Sequence, residues 1–269
     1  MYIATKMKKV IYTCITGNYD SLMQPEAVDG SFDYVCFSDT VSSSRVGVWE
    51  IRPFPVETSA LSPIMKSRYP KILPHRSFDD GEYDVWVWMD ANIRIVSDRF
   101  YDTVDRLVAG GCDIAQVPHL DRDCIYDEIP RCYIDMRLGL GQALRQRRHL
   151  EGMGFPRHFG LMENNLILRV DRGAECVARK VSESWWAEFE RFPVRDQLSL
   201  MPVYRSLHLM PELFFGRGRN VRKVDCLEIV RHAGIRNVSE IRGAARLLMK
   251  LRWTAREIAA RLLLGYKGR

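Results

Sequence analysis

The chain has 269 residues, 46% hydrophobic and 28% charged, which suits one large α/β domain or two small ones around a substantial core. No apolar run reaches the roughly 18–20 residues that span a membrane, and seven irregularly spaced cysteines argue against a disulfide framework or a zinc clip. The net charge of +6 belongs to the end of the chain, since residues 235–269 hold nine Lys/Arg against two Glu. The preceding residues are close to neutral, and no nucleic-acid binding is expected of them.

The N-terminus places positive charge before a short apolar run. That run leads into Gly17 without a small-residue cleavage site, so a first strand is expected rather than a signal peptide, in a reducing, cytoplasmic setting. Residues 8–15 (KKVIYTCI) and Tyr34-Val35-Cys36-Phe37 read as buried parallel strands ending in polar turns. Residues 61–73 read as a helix interrupted by Pro70. The strongest strand, 83–89, runs into Asp90-Ala91-Asn92, with Trp86 and Trp88 expected in the core. A helix follows over 97–109, a strand over 113–117, mainly helix and loop over 121–160, a strand over 165–170 and a helix over 172–190. Trp185 and Trp186 are adjacent, so only one is expected to face the core. The alternation implies a layered α/β domain over residues 1–234 with a mainly parallel sheet.

Ligands of such sheets bind beyond the carboxyl ends of strands. Thr16-Gly17-Asn18-Tyr19-Asp20, Ser38-Asp39 and Asp90-Ala91-Asn92 all fall there. In an extended segment Asp90 and Asn92 point the same way, and their oxygens suit a hard divalent cation. The competing reading is a strand-to-turn cap. Arg68, Lys71 and His75 share one helical face if Pro70 does not break the helix first, and a cationic face suits a diphosphate. The competing reading there is a solvated basic surface.

The strings YTCITGNYDSL, DYVCFSD, SRYPKILPHRSF and VWVWMDANI resemble a glycosyltransferase-like domain family of plant cell-wall-related proteins and bacterial polysaccharide clusters. The likeness continues through Pro118-His119, Arg122 to Glu128, Gly160 to Asn165 and Arg195 to Ser199, and covers residues 8–232 in collinear order. It implies a GT-A-like nucleotide-diphospho-sugar transferase. By this resemblance Asp90 and Asn92 coordinate Mn²⁺ or Mg²⁺, with Asn92 standing where the commonest motif has a second Asp, and His232 is a candidate third ligand beside a structural role. The resemblance assigns Thr16, Gly17, Tyr19 and Asp39 to the nucleotide pocket and Arg68, Lys71 and His75 to the diphosphate.

Asp196-Gln197 resembles the pair that several retaining families place near the anomeric carbon and acceptor, against the plain reading of Asp196 as a helix N-terminal residue. Glu163 is a second candidate for acceptor binding or base, with a helix cap as its rival reading. His119, Arg122, Asp123, Tyr126 and Glu128 form a polar patch expected to shape the acceptor site. The implied donor is a UDP- or GDP-sugar and the implied acceptor a glycan or lipid-linked glycan, in surface polysaccharide assembly. Two other readings remain open from the residues alone. One is a Mg²⁺-dependent phosphohydrolase or nucleotidyltransferase built on Asp90, and the other is a non-catalytic scaffold.

Residues 235–269 form a separate tail. Ile241, Ala244, Leu248, Leu251, Ala255, Ile258 and Leu262 give one apolar helical stripe, with Arg242, Arg246 and Lys250 away from it. Such a helix lies on an anionic membrane surface, making the protein peripheral on the inner face, or packs on its own domain or on a second subunit in a homodimer.

Overall fold

A computed structural model describes residues 7–17, 22–230 and 244–267, with the backbone alone for 244–246. Tyr19 and His232 lie outside the described residues. The strands are β1 (Lys9–Ile15), β2 (Phe32–Ser38), β3 (Arg45–Val46), β4 (Trp49–Arg52), β5 (Val85–Met89), β6 (Ile93–Ile95), β7 (Ile114–Pro118), β8 (Met162–Val170), β9 (Glu212–Leu213) and β10 (Leu227–Ile229). The helices are α1 (Pro63–Ile72), α2 (Pro74–Ser77), α3 (Arg99–Ala109), α4 (Ile125–Ile134), α5 (Leu140–Gly152), α6 (Val177–Arg191), α7 (Gln197–Ser206) and α8 (Ala244–Leu264).

Eight strands form one sheet in the order β3-β4-β2-β1-β5-β8-β7-β9, and β6 and β10 pair as a separate antiparallel ribbon. β1 pairs parallel with β2 and β5, and β2 with β4. β8 runs antiparallel between β5 and β7, so the α/β sheet is mixed. The apolar run of β8 hides its direction, because a strand buried on both faces has no polarity in its pattern. The reversal has a consequence for the site. It brings the first residues of β8, Met162 to Asn165, to the sheet edge where β1, β5 and β7 end.

Alternate residues of β1 feed the two faces of the sheet. Val10 and Tyr12 join the core formed with α1, α4, α6 and α7, while Ile11 and Ile15 join the core formed with α3. Ser62 caps α1 by accepting a hydrogen bond from Met65 N, and Pro70 sits inside the helix without ending it. The break comes at Leu73 (φ −116, ψ 62), immediately before Pro74. A residue that precedes proline is pushed out of the helical region, so Pro74 rather than Pro70 terminates α1. His75 therefore starts a new helix and does not continue the face of Arg68 and Lys71.

Trp185 and Trp186 are both buried, contrary to the expectation that only one would be. Helix α6 is covered on two sides. Trp186 packs edge-on against Tyr69 of α1 at 5.3 Å, and Trp185 lies beneath the start of α7. Trp185 Nε1 donates to Asp196 O (3.2 Å) and to Ser199 Oγ (3.0 Å), tying the indole to the turn that leads into α7. Trp185→Phe keeps most of the packing and removes that donor. It is expected to lower the unfolding free energy by about 1–3 kcal/mol, measured by denaturant unfolding. An unchanged midpoint would show that the indole nitrogen contributes nothing to this turn.

Candidate active site

A cleft crosses the strand ends. One part, about 390 Å³, is lined by Thr16, Ser67, Arg68, Lys71, Trp88 and Asp90 among others. A larger part, about 730 Å³, continues past Asn92, Glu163, Asn164, Asn165, Asp196 and Gln197. Arg68, Lys71, Asp90 and Arg195 line both, so the two parts meet at a band of charge.

That band is centred on Asp196. Its carboxylate is 4% exposed, with Lys71 Nζ 2.9 Å from Oδ2 as an ion pair outside hydrogen-bond alignment, and Arg68 Nε 3.4 Å from Oδ1. Burial opposes its ionisation, but Lys71, then Arg68 and Arg195, outweigh it and hold the carboxyl far below the ordinary range. Asp196 occupies the N-cap position of α7 yet makes no capping hydrogen bond, so the helix-cap reading of this residue does not hold. Lys71 Nζ also reaches Asp90 Oδ1 at 3.4 Å and lies over the Trp88 ring.

Asp90 and Asn92 do not sit in an extended segment. Ile93 N donates to Asp90 O at 2.9 Å, closing a turn. Both side chains still reach the larger part of the cleft. Asp90 Oδ1 accepts from Trp88 Nε1 (2.9 Å) and Lys71 Nζ, which leaves Oδ2 to the cleft. Asn92 Nδ2 donates to Val230 O at 3.0 Å. The pair offers one carboxylate and one amide oxygen. This donor set fits a hard divalent cation that takes its remaining ligands from phosphate and water. Lys71 is the competing positive charge at the same spot.

Other expected residues are placed differently. Asp39 accepts from Gly17 N (3.1 Å) and Lys66 Nζ (3.0 Å) at the rim. Burial works against its ionisation, but those two donors lower its pKa. Gly17 has φ +48, and a Cβ there would meet nothing within 4 Å, so its backbone conformation favours glycine, not crowding. His75 faces away from the cleft, with Nε2 2.6 Å from Glu183 Oε1 and its ring against Trp86. Glu163 lies in β8 and is not a helix cap. Arg222 NH1 donates to both its oxygens at 2.8 Å, and Asn165 Nδ2 to Oε2 at 2.9 Å.

In the polar patch, Arg122 Nε donates to buried Glu128 at 2.6 Å. His119 Nδ1 accepts from the backbone N–H groups of Asp121 and Arg122, both at 3.1 Å, which puts the neutral ring's proton on Nε2. Burial lowers the His119 pKa. Away from the cleft lining, the ligand atoms of Cys124, Asp127 and His158 lie within 4.8 Å of one another. Sequence spacing gave no hint of this cluster, because the loop after α5 brings His158 back to the start of α4.

Several cleft residues escaped sequence reasoning. Cys14 donates to Ser67 O at 3.1 Å, and burial pushes its thiol up to about 12, so it is no nucleophile. Arg195 precedes the Asp-Gln pair and has a buried Nε without a partner. Asn164 and Asn165 are neighbours on one strand, which normally sends side chains to opposite faces. A register shift between Gln116 and Val117 against β8 lets both line the cleft. Asn164 Nδ2, Asn165 Oδ1 and Gln197 Nε2 are buried and unpartnered.

The fold is α/β, with a charged cleft over its strand ends. Residues 1–221 match the TOD1/MUCI70 glycosyltransferase-like domain family, and the chain belongs to that family. Among solved structures it is similar to mouse xyloside xylosyltransferase 1 in its apo form, at 12% identity over 75% of this chain and 81% of that one, with a TM-score of 0.43. It is also similar to galactosyltransferase LgtC in complex with donor and acceptor sugar analogues, at 11% identity over 91% of this chain and 95% of that one, with a TM-score of 0.43. At this level neither likeness carries an argument about residues or substrates. No curated protein matches the chain.

Asp196→Asn removes the nearest counter-charge of buried Lys71 and partly buried Arg68, leaving Lys71 only its longer contact to Asp90, and is expected to cost about 3–5 kcal/mol at neutral pH. A depressed carboxyl stabilises fully above its unfolded pKa of about 4 and loses that contribution as pH falls further. The gap between wild type and variant in denaturant unfolding is therefore constant above about pH 5 and shrinks in acid. A gap that widened on acidification would contradict the ion-paired assignment.

Proposed function

We propose that the chain is a divalent-metal-dependent glycosyltransferase that moves a sugar from a nucleoside-diphosphate donor to a glycan or lipid-linked acceptor. One observation carries this reading. The charged band sits beside buried polar atoms without partners, namely Asn164 Nδ2, Asn165 Oδ1, Arg195 Nε and Gln197 Nε2. Buried polar groups are normally satisfied. A ligand bearing both hydroxyl donors and hydroxyl acceptors next to an anionic group would satisfy this set, and a sugar diphosphate has that composition.

In this reading Thr16 and the rim formed by Gly17 and Asp39 take the nucleotide, while Arg68 and Lys71 face the diphosphate. Asp90 and Asn92 would hold Mn²⁺ or Mg²⁺, which supplies Lewis-acid neutralisation of the departing diphosphate. Asp196 is too firmly ionised to serve as a base near neutral pH. Its role is to hold Lys71 and Arg68 in place, and Glu163 is similarly engaged by Arg222. The chemistry of this cleft is therefore mainly electrostatic, through donors fixed in place before charge develops on the leaving group. The Asp196-Gln197 pair makes retention the expected stereochemistry, which product NMR decides.

The test is calorimetric binding of UDP, GDP and their sugars, with and without Mn²⁺, to wild type and Asp90→Ala. Metal-enhanced binding that is more than about ten-fold weaker in the variant is expected. Absence of nucleotide binding by the folded wild type would remove the transferase reading. Gln197→Ala is expected to weaken binding of a sugar nucleotide by about 2–10-fold while leaving the free nucleotide unaffected. Equal losses for both ligands would move Gln197 away from the sugar.

A further inference from the structure

Helix α8 has two opposed faces. One docks on the domain. Arg256 donates to Tyr133 O (2.7 Å) and Leu138 O (2.6 Å) and lies over the Tyr133 ring, Ala260 and Leu264 are fully buried, and Arg147 caps the helix at Leu264 O. Arg256, Ala260 and Leu264 are spaced by four and mark a single line along the helix. The opposite line holds Leu247, Leu251, Ile258 and Leu262, flanked by Leu248. These side chains are 60%, 57%, 54%, 78% and 57% exposed. A run of five large aliphatic side chains this exposed is unusual for a folded domain and marks an interaction surface.

The borders of the exposed stripe are basic. Lys250, Arg252 and Arg261 are exposed on α8, and Lys267 follows just beyond it. The one acid among the described residues of the helix, Glu257, is already paired with Arg261 at 2.6 Å. A second copy docking stripe to stripe would set basic borders against basic borders with no free acid to offset them. An anionic lipid surface offers an apolar layer for the stripe and negative headgroups for its borders. No described helix is long and apolar enough to cross a membrane, so the contact is one of lying on the surface.

We propose that α8 seats the domain on an anionic bilayer through Leu247, Leu248, Leu251, Ile258 and Leu262, with Lys250, Arg252 and Arg261 on the headgroups. The docked face holds the catalytic domain in a fixed relation to that surface. Arg131 joins the two regions, because it lines the larger part of the cleft and its guanidinium lies 5.5 Å from the Trp253 ring of α8. The larger part of the cleft thus lies close to α8. Membrane seating needs only the helix, so its test is independent of the transferase reading.

The full chain is sedimented with vesicles of phosphatidylcholine alone and of phosphatidylcholine mixed with phosphatidylglycerol, at low and high salt. Wild type is expected to bind the anionic vesicles, weakly or not at all the neutral ones, and less at high salt. Leu251→Asp combined with Ile258→Asp is expected to weaken that binding more than about ten-fold. Both residues are exposed, so the unfolding midpoint should stay unchanged and serve as the folding control. Lys250→Ser and Arg252→Ser are each expected to weaken binding about five-fold. The proposal is overturned if wild type binds neither vesicle or if the double variant binds as well as wild type. A dimer in sedimentation velocity that the double variant splits, with no vesicle binding, would overturn it in favour of a second copy.

Discussion

The carboxylate of Asp196 decides whether the cleft can exist in its observed form. Lys71 is 5% exposed, and Arg68 and Arg195 converge on the same point from α1 and from the turn before α7. Gathering three cations in a poorly solvated space is costly unless an anion is held among them. Asp196 is that anion, and its position is fixed from beneath by the indole of Trp185 through the Asp196 carbonyl. The network links three parts of the chain: helix α1, the end of β5 through Asp90, and the entry to α7. Each contributes a charge that the other two make tolerable. Stability and site geometry are thus the same set of contacts, and a substitution at Asp196 is expected to disturb both.

The same network leaves the cations of the cleft largely compensated by carboxylates. Lys71 is shared between Asp196 and Asp90, and its longer contact is to Asp90. Loss of that longer contact would leave Lys71 held by Asp196. Trp88 holds Asp90 Oδ1 in place through Nε1, so Oδ2 is presented without a rotamer search. Preorganisation of this kind lowers the entropic cost of assembling a charged complex.

The sequence carried the parts of this arrangement that depend on short range. A hydrophobic strand running into Asp90-Ala91-Asn92, a helical spacing of three between Arg68 and Lys71, and the Asp196-Gln197 pair were all visible, and all meet in the cleft. What failed depended on events between neighbours or between distant segments. His75 was grouped with Arg68 and Lys71 by periodicity, but Pro74 forces Leu73 out of the helix and turns His75 toward Glu183. Glu163 was a candidate for acceptor binding or base with a helix cap as its rival reading, whereas it lies in a strand whose pairing with β7 is set by residues some fifty positions away. Asn164 and Asn165 became cleft residues only through a register shift, which no alternation pattern records. Arg195 lay within the segment that carries the resemblance but was given no role of its own, although an arginine directly before the Asp-Gln pair was the available signal.

In the tail the apolar stripe was legible, but the face by which the helix docks was not. Its apolar spacing left a membrane surface, its own domain and a second subunit open as partners. Here the domain is gripped instead by Arg256, Ala260 and Leu264, a line containing a charged residue and only one large aliphatic one. Arg256 succeeds as an anchor because Tyr133 O in the last turn of α4 and Leu138 O just beyond it accept its guanidinium, which also lies over the Tyr133 ring. With docking achieved through hydrogen bonds, buried Ala260 and Leu264 and partly buried Ala259 and Tyr266, the leucine-rich line is left over. A surface helix that spent its apolar side chains on its own domain would need no second partner. One that docks by arginine and keeps its leucines outward requires something apolar on the other side.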